Sequence, residues 1–550
     1  MSIPFNKLPG FNHLFIDYID NFENLNEFFS YNYRDEDSFV KLSDFKNQFY
    51  LRDETFNRDT IANILTIQNK AFNSFDKTFR NIEKLRKDNT YAIVSGQQIG
   101  LFTGSYYTIL KALNTVMLCN YLNDTFSKYN FIPIFWLEGD DHDLQEVNHI
   151  NIIDKNNKVI KIEYKSNLIN NDKNLKPVAD IEFDENIITT INNLFENLRK
   201  TEFSTELKSI VEKSYKPGLN FKLSFGRFLN YILGDLGLIL FDPTDVEVKK
   251  LLLPIFLKEL NTFPKSCELV IDTSIKLEQN YELQIKPKPI NLFYKHNGNR
   301  HLIEPKQNKC FGLKNTKIKF SADELFNRLY EHPEYFSPNV VLRPICQDYL
   351  LPTVCYIAGP SEISYFAQLK RVYEFYNNVM PIIFPRTSMT FIEISVNNFL
   401  LKNDLNFDDL FSETLVIQKS LMKLNSINID EIFNTFREGL NTITYEAGEK
   451  LRIIDKNLET YFTNKVNKFS ENLNTIKAKA NEALIRNNQH TINKLKEIIS
   501  FIYPSNYLQE RYINILYYLN KYSLDLIKFL ENNLDLYSKE HQFVVLNFKR

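Results

Sequence analysis

The chain has 550 residues, enough to bury a large core and to form more than one structural unit. Lys and Arg total 66 against 68 Asp and Glu, so the net charge of −2 excludes a general attraction to nucleic acid. Aromatic residues make up 14% and there are only 14 glycines, a composition typical of a well-packed globular protein.

The five cysteines are odd in number and form no C-x-x-C pair, which argues against a disulfide framework or a zinc site. The first residues lack the basic and apolar regions of a signal peptide, and no apolar run approaches the ~20 residues of a membrane helix. We therefore expect a cytoplasmic protein that has neither a membrane nor a nucleic acid as a partner. Residues 1–90 are predicted to be mostly helical, with an amphipathic helix over Thr60–Phe79.

The most informative stretch is VSGQQIGLFTGSYYTILKAL, Val94–Leu113, which follows the β-type run YAIV and continues as a helix. A strand, a glycine-bearing loop and a helix are how open α/β sheets build binding sites. The glycine spacing fits neither the dinucleotide fingerprint nor the phosphate loop, so a plain turn is the alternative. Lys111, two turns into the helix, is interpreted as solvated, with an anion contact as the alternative. The candidates for close backbone approach to a cofactor are Gly96, Gly100 and Gly104, and those for hydrogen bonds to a sugar or nucleotide are Gln97, Gln98, Thr103 and Tyr107.

A second candidate segment is FIPIFWLEGDDHDLQEVNHI, Phe131–Ile150, whose apolar run predicts a buried strand. Crowded carboxylates are costly unless a cation or a basic ligand compensates them. The alternative is an acidic turn that caps a helix beginning near Leu144, with Asp143 as the N-cap. Trp136, the single Trp, is interpreted as core, with a platform for a sugar ring or base as the alternative. The cluster at the strand end is Glu138, Asp140, Asp141, His142 and Asp143.

Two β excursions are predicted within the α/β pattern, as inserts near 150–200 and 280–320. The first is a hairpin in NIIDKNNKVIKIEY, and the second a hairpin around Asn297 and Gly298. Between them we predict a helix over Phe221–Leu236, a strand over Gly237–Asp242 and helical structure over 244–280.

Residues 339–386 return to α/β character. We predict a strand entering Arg343, a helix, a strand ending at Gly359, and a further apolar run ending at Arg386. The loop with Gly359, Ser361 and Glu362 begins a helix and is a second candidate anion or ribose site. Cys346 and Cys355 lie in apolar runs, where cysteine is usually buried and inert.

Residues 391–503 are predicted to form a long helical coiled-coil arm, because no proline and only two glycines occur there and apolar residues recur by threes and fours. A helical bundle within the globule is the alternative. Residues 504–550 are predicted to return to the core, beginning with another amphipathic helix and ending in a strand. The apolar seam comprises Ile432, Phe436, Leu440, Ile443, Ala447, Leu451, Ile454, Leu458, Phe462, Val466, Phe469, Leu473, Ile476 and Ala480.

With these segments in place, the chain resembles the bacillithiol biosynthesis cysteine-adding enzymes over nearly its whole length. The resemblance rests on SGQQIGLFTGSYYTILKA (95–112), PIFWLEGDDHDLQEVNH (133–149), RPICQDYLLPTVCYIAGPSEISYFAQLK (343–370), MPIIFPR (380–386) and PSNYLQER (504–511). It implies an α/β fold, with a Rossmann-like core of the nucleotidylyl-transferase type over 1–390 that carries inserted β subdomains, and a coiled-coil arm that mediates homodimerisation. Small departures are Ser95, Ser105 and Ser361, where the family often has Thr, Pro and a smaller residue.

The same resemblance implies a ligase that joins cysteine to glucosaminyl-malate and so completes bacillithiol. A carboxylate must be activated before an amine attacks it, so ATP with Mg²⁺ is a possible requirement, through an acyl-adenylate or acyl-phosphate, and a pre-activated cysteine is the alternative. The HIGH and KMSKS signatures of class I aminoacyl-tRNA synthetases do not occur.

The roles expected in such a reaction follow from side-chain chemistry. Asp141 and His142, with Asp140, are the candidates for deprotonating or orienting the amine. Glu138, Asp140 and Asp143 could hold an ammonium group or Mg²⁺. Arg343 and Arg386 could bind malate carboxylates, with pairing to Glu362 or Glu393 as the alternative.

Two other functions stay open at this stage. One is a metal-dependent hydrolase or nucleotidylyl transferase that uses the cluster at 140–143, although no dedicated metal ligand set is assigned. The other is a scaffold, in which the arm assembles a complex and the core merely binds a metabolite.

Overall fold

The computed structural model describes residues 1–52, 57–166, 175–425 and 428–548. Two compact units comprise Met1–Thr390 with Tyr507–Val544, and Phe391–Asn506 with Val545–Lys549. In the described part of the chain, no helix is long and apolar enough to cross a membrane.

The strands are β1 (Ser2–Pro4), β2 (Thr90–Gln98), β3 (Asn130–Glu138), β4 (His149–Ile153), β5 (Val159–Glu163), β6 (Ile239–Phe241), β7 (Leu292–His296), β8 (Asn299–Pro305), β9 (Phe311–Leu313), β10 (Lys319–Phe320), β11 (Phe336–Pro338), β12 (Thr353–Ala358), β13 (Ile382–Pro385), β14 (Met389–Glu393) and β15 (Glu540–Leu546). The α-helices are α1 (His13–Asp20), α2 (Asp37–Arg52), α3 (Arg58–Ala71), α4 (Asp76–Lys84), α5 (Tyr107–Thr125), α6 (Leu144–Val147), α7 (Asn186–Asn197), α8 (Ser204–Ser214), α9 (Phe221–Leu233), α10 (Val246–Leu251), α11 (Leu253–Thr262), α12 (Lys265–Leu277), α13 (Ala322–Glu331), α14 (Arg343–Leu350), α15 (Pro360–Phe366), α16 (Lys370–Phe375), α17 (Ile394–Asn403), α18 (Glu413–Asn425), α19 (Ile429–Ile454), α20 (Lys456–Asn487), α21 (Gln489–Ile502), α22 (Gln509–Tyr512), α23 (Ile515–Tyr522) and α24 (Asp525–Asn533).

The first unit is built on a five-stranded parallel sheet of order β13-β12-β2-β3-β6. The chain leaves β2 towards β3 on one side and leaves β12 towards β13 on the other, so the strand order reverses between β2 and β12. Open α/β sheets bind ligands outside the carboxyl ends of their strands at such a switch point. The predicted Rossmann-like core is therefore confirmed.

Gly96 is required where β2 and β3 run side by side. A Cβ at this position would lie 3.0 Å from the Trp136 Cβ and the Trp136 carbonyl oxygen on β3. Glycine therefore lets the two strands stay paired through Gln97 and Gln98 up to their carboxyl ends.

Both predicted β excursions are present. The first is the antiparallel pair β4–β5, and the second belongs to an antiparallel sheet of order β10-β9-β8-β7-β11. The turn between β7 and β8 has positive φ at Asn297 (49°) and Gly298 (80°), as a two-residue hairpin with a primed turn requires. The predicted C-terminal strand is β15, which pairs with β1.

Three local predictions were wrong. No strand enters Arg343, because Pro344 lies in the first turn of α14, where its missing N–H costs nothing. The apolar pattern over Thr60–Phe79 is split into α3 and α4 by a turn with positive φ (57°) at Asn73. The helix expected after Pro504 is instead the short helices α22 and α23, which are interrupted at Ile513 and Asn514.

The second unit contains the long helices of the predicted coiled coil. Asp455 separates α19 from α20 and accepts a hydrogen bond from the backbone N–H of Asn457. The two helices pack antiparallel, since Lys477 pairs with Asp430 near one end, and Arg437 donates to Asn474 further along. This hairpin confirms the coiled-coil prediction.

Candidate functional site

A cavity of about 270 Å³ opens at the switch point of the parallel sheet. Apart from Arg343 on α14 and Arg511 on α22, the lining residues lie at or just beyond the carboxyl end of a strand of the parallel sheet or on the helix that follows it. We call it the switch-point cavity; its lining consists of Gly96, Gln97, Gln98, Tyr107, Lys111, Trp136, Glu138, Arg343, Tyr356, Gly359, Pro360, Ser361, Glu362, Tyr365, Arg386 and Arg511.

Lys111 and Glu362 form an ion pair in the wall of this cavity. The Lys111 ammonium donates to the Gly96 carbonyl oxygen (2.8 Å) and to Gln97 Oε1 (3.2 Å), and lies 2.5 Å from Glu362 Oε2. Burial lowers the pKa of Lys111, and Glu362 opposes that shift. Burial would raise the pKa of Glu362, but Lys111 and hydrogen bonds from the Gly359 N–H and Tyr356 hold it below its usual value. The interpretation of Lys111 as solvated was therefore wrong.

Arg386 contributes a free hydrogen-bond donor to the cavity. Its Nη2 donates to Glu510 Oε1 (2.6 Å) and its Nη1 to the Thr387 carbonyl oxygen (2.9 Å). Its buried Nε has no hydrogen-bond partner among the described residues. An unsatisfied buried donor on a guanidinium group suits an anionic ligand such as a carboxylate or phosphate. The pairing with Glu362 or Glu393 considered from the sequence is replaced by a pairing with Glu510.

Arg343 is oriented differently. It donates to the Tyr365 hydroxyl (3.0 Å) and to Gln347 Oε1 (3.3 Å), and its guanidinium lies 5.4 Å from the centre of the Tyr356 ring. These contacts leave its charge without a direct carboxylate partner within 4 Å among the described residues, so Arg343 can receive an anion from the cavity.

Three of the carboxylates at the end of β3 have partners within the protein. Asp140 forms a buried ion pair with Lys249 on α10, with Nζ 2.6 Å from Oδ2. Asp143 is the N-cap of α6 and accepts from the Glu146 N–H, which confirms the capping interpretation. Glu138 accepts a hydrogen bond from Trp136 Nε1 (3.2 Å). Burial and the neighbouring Asp140 raise the pKa of Glu138, and the positive charges of Arg343, Arg300 and Lys249 oppose that rise.

Asp141 and His142 lie beside the glutamine-bearing loop, as the sequence led us to expect. Gln98 Nε2 donates to Asp141 Oδ2 at 3.3 Å, across the ends of β2 and β3. The His142 Nδ1 lies 3.5 Å from Asp141 Oδ1 and has no hydrogen-bond partner among the described residues. This nitrogen is buried and faces the Asp141 carboxylate.

Asp141 and His142 line a second cavity of about 560 Å³, which we call the basic chamber. Glu138 and Arg343 line both cavities. The remaining lining comes from the second sheet and its neighbouring loops: Leu175, Lys286, Lys288, Phe293, Arg300, His301, Leu302, Lys314, Asn315, Pro338, Asn339 and Val340.

Trp136 is a core residue that also reaches the switch-point cavity. It is 1% exposed and stacks on Phe241 with ring centroids 4.8 Å apart. Besides Asp140 and Asp143, three predicted residues line neither cavity. Gly100 packs against Val147, Thr103 donates to the Phe102 carbonyl oxygen, and Gly104 adopts a positive φ of 68° in a turn.

Sequence reasoning missed several lining residues. Tyr365 lies one helical turn after Ser361, so the period of α15 could have indicated it. Arg511 is the last residue of the motif PSNYLQER, but no pattern in that segment indicates that it lies beside the parallel sheet. Arg300 lines the basic chamber, and Lys249 lines neither cavity but pairs with Asp140; both come from segments that only the tertiary structure brings to the site. In the described part of the chain, no group of three or more His, Cys, Asp or Glu is placed to hold a metal ion.

The fold and the cavity define an α/β protein with a Rossmann-like core that carries a polar, arginine-lined ligand site at its switch point. Two family models cover the chain: "Bacillithiol biosynthesis BshC, N-terminal Rossmann-like domain" over residues 1–387, and the C-terminal coiled-coil domain of the same family over 389–546. The chain therefore belongs to the BshC family of bacillithiol biosynthesis.

Curated relatives match along most of their length. The chain is 31% identical to a protein of Chloroherpeton thalassium, with 97% of each chain covered, and 31% identical to one of Chlorobaculum tepidum, with 98% and 97% covered. It is 28% identical to a protein of Bacillus cytotoxicus, with 88% and 90% covered. All three carry the name "Putative cysteine ligase BshC".

Proposed function

We propose that this protein is a cytoplasmic ligase that joins the carboxyl group of cysteine to the amine of glucosaminyl-malate and so forms bacillithiol. Family membership and the names of the relatives support the reaction class. The observation that carries the proposal is that the unsatisfied Nε of Arg386 and the carboxylate of Glu138 line one cavity. Such a site suits an amino acid, whose carboxylate and ammonium need opposite charges.

The chemistry requires an activated carboxyl group, and we propose ATP as the co-reactant. The cysteine carboxylate oxygen attacks a phosphorus atom, which gives an acyl-phosphate with ADP or an acyl-adenylate with pyrophosphate. The neutral amine then attacks the acyl carbon, the C–N bond forms, the C–O bond to phosphate or AMP breaks, and the amine loses one proton. In this proposal Arg386 and the exposed Arg511, which both line the switch-point cavity, hold anionic groups of the reactants.

The proton of the attacking amine needs an acceptor. His142 Nδ1 faces the Asp141 carboxylate at 3.5 Å, so Asp141 could orient the ring and leave the other nitrogen, Nε2, to accept the proton as a general base. Asp140 is proposed to be a positioning residue, because its ion pair with Lys249 holds the loop that carries Asp141 and His142.

The test is mass spectrometry of purified protein incubated with cysteine, glucosaminyl-malate and ATP, with each omitted in turn. We expect a product with the mass of the amide only in the complete mixture. Formation of AMP and pyrophosphate would identify the adenylate, and formation of ADP and phosphate the acyl-phosphate. Absence of the amide product from the complete mixture would refute the proposed function.

We also propose that the hairpin of α19 and α20 makes a homodimer. Along it, Phe436 is 52% exposed, Ile443 63% and Ile454 74% in the single chain. Exposed apolar side chains in a row mark an interaction surface. Light scattering after chromatography should give a dimer mass for the wild type and a monomer mass for Phe436→Asp/Ile443→Asp. A monomeric wild type would refute the dimer.

A further inference from the structure

The basic chamber contains more positive charge than its own acids can balance. Its lining includes five cationic side chains and two carboxylates, and two histidines lie beside them. The cations are Lys286, Lys288, Arg300, Lys314 and Arg343, and the carboxylates are Glu138 and Asp141. Like charges around one cavity repel one another, so this arrangement favours a bound anion.

The three lysines are available to such an anion. In the described parts of the chain, no carboxylate lies within 4 Å of the ammonium groups of Lys286, Lys288 or Lys314, of which Lys288 is half-buried and the others exposed. Lysines on an ordinary surface are as free as these. What distinguishes this set is that its lysines come from two separate loops, Lys286 and Lys288 from one and Lys314 from the other, and line one concave space.

Arg300 is the fixed member of the set. Its Nε donates to Ser337 Oγ (3.0 Å), its Nη2 donates to the Pro338 carbonyl oxygen (2.9 Å), and its guanidinium lies 3.8 Å from the centre of the Phe293 ring. Its Nη1 is 3.8 Å from Asp141 Oδ1, too far for a hydrogen bond. This buried guanidinium is therefore held rigidly, with one edge left for a ligand.

The acids and the cations of the chamber come from different parts of the fold and meet where Arg300 Nη1 lies 3.8 Å from Asp141 Oδ1. The acids come from the end of β3 in the parallel sheet, whereas Arg300 and Lys314 come from the second sheet and the loop that follows its strand β9. A ligand that matches this pattern carries one ammonium group and at least two negative charges a few ångströms away. A single amino acid has one carboxylate and leaves the excess positive charge unbalanced.

We propose, on the basis of the proposed function, that the basic chamber binds the dicarboxylate end of the amine substrate and places its amine at Asp141, beside the wall that the chamber shares with the switch-point cavity. In a 2-amino sugar whose anomeric carbon carries malate, the amine and the malyl group are on neighbouring carbons, which fits the short span between acids and cations. Because Glu138 and Arg343 line both cavities, the activated cysteine would occupy the switch-point cavity and meet the amine at this shared wall.

Calorimetric titration of the full-length protein at low salt tests this placement. The variant Lys288→Gln/Lys314→Gln removes two chamber cations, and Lys317→Gln/Lys319→Gln removes two exposed lysines of the same region that line neither cavity. The ligands are glucosaminyl-malate, malate, methyl glucosaminide without malate, and inorganic tripolyphosphate. We expect the chamber variant to raise the Kd for glucosaminyl-malate at least tenfold and that for methyl glucosaminide less than twofold, and the control variant to change neither more than twofold.

Four outcomes separate this inference from its competitors and from the proposed function. An unchanged Kd for glucosaminyl-malate in the chamber variant overturns the inference. A loss confined to tripolyphosphate overturns it too and assigns the chamber to the phosphates of a nucleotide. A wild type that binds neither glucosaminyl-malate nor malate also overturns it. Lysine-dependent malate binding by a protein that forms no amide product refutes the proposed function and leaves the dicarboxylate site standing.

Discussion

Lys111 Nζ lies 2.5 Å from Glu362 Oε2, and this contact joins the helix after β2 to the helix after β12. The two strands flank the switch point, so the ion pair fixes the width of the cavity between them. The same ammonium group holds the Gly96 carbonyl oxygen, so one side chain orients both loops.

We expect Lys111→Met to destabilise the fold, because it leaves the largely buried Glu362 carboxylate without its cation. Breaking one partner of a buried pair costs about 3 kcal/mol. Adding Glu362→Gln should recover part of that loss, because the uncompensated charge is gone. Urea unfolding of the two variants measures both effects, and equal stability of the single variant and the wild type would contradict the account.

His541 should make stability fall in acid. Its ring lies between Ser388 Oγ (2.8 Å) and Thr390 Oγ1 (2.9 Å). Burial lowers the pKa of His541 to about 4; the Glu510 carboxylate opposes this shift and the Arg386 guanidinium adds to it. As the pH falls, the unfolded chain binds a proton at His541 before the folded protein does. The contribution of neutral His541 to the free energy of unfolding is therefore complete above pH 6.5 and is lost as the pH falls towards 4.

The size of this effect follows from the shift in pKa, which corresponds to about 3 kcal/mol across that window. The difference in unfolding free energy between wild type and His541→Gln should narrow by about this amount from pH 7 to pH 4. A difference that does not depend on pH would show that His541 is not the titrating group.

Arg386→Lys should reduce the binding free energy of the anionic reactant more than it reduces the free energy of unfolding. Lysine keeps a positive charge near Glu510 but has no counterpart of the free Nε–H. Loss of a charged hydrogen bond of about 1.5–3 kcal/mol predicts a KM for cysteine or ATP raised at least tenfold. Arg371→Lys, at an exposed pair with Asp272, serves as control and should leave both KM values unchanged. An unaltered KM in Arg386→Lys would remove Arg386 from the site.

Asp141→Ala and His142→Ala should each abolish cysteine addition and leave the unfolding midpoint within error of the wild type. Asp143→Ala is the matched control, because Asp143 is adjacent but caps α6 and lines neither cavity. It should lose about 1 kcal/mol of stability and keep its activity. Normal amide formation by both Asp141→Ala and His142→Ala would refute their role in the reaction.

The parts of the site that sequence could predict are those determined by topology. Carboxyl ends of neighbouring parallel strands meet at one edge, so a glutamine-bearing loop and an aspartate-rich loop could be expected to lie together, and Gln98 and Asp141 do. The β inserts could be predicted from their hairpin patterns, because turn chemistry is local.

What sequence could not give was the pairing of charges that lie far apart in the chain. Lys111 reads as a surface lysine until the fold brings Glu362 to it, and Asp140 reads as an exposed acid until Lys249 buries it. The prediction of a strand before Arg343 was wrong for a related reason, because a short apolar run is equally compatible with the start of a buried helix. The basic chamber depends on several loops that are distant in the chain, and no local sequence pattern predicts that they lie together.

The rate of amide formation by Glu138→Gln tests the central claim most directly, because Glu138 lies in the wall shared by both cavities and glutamine preserves its shape. Glu304→Gln, at an exposed pair with Lys306, is the control. With cysteine, glucosaminyl-malate and ATP, the account predicts a kcat/KM at least a hundredfold below that of the wild type for Glu138→Gln and an unchanged value for Glu304→Gln. Wild-type turnover by Glu138→Gln would place the reaction elsewhere in the molecule.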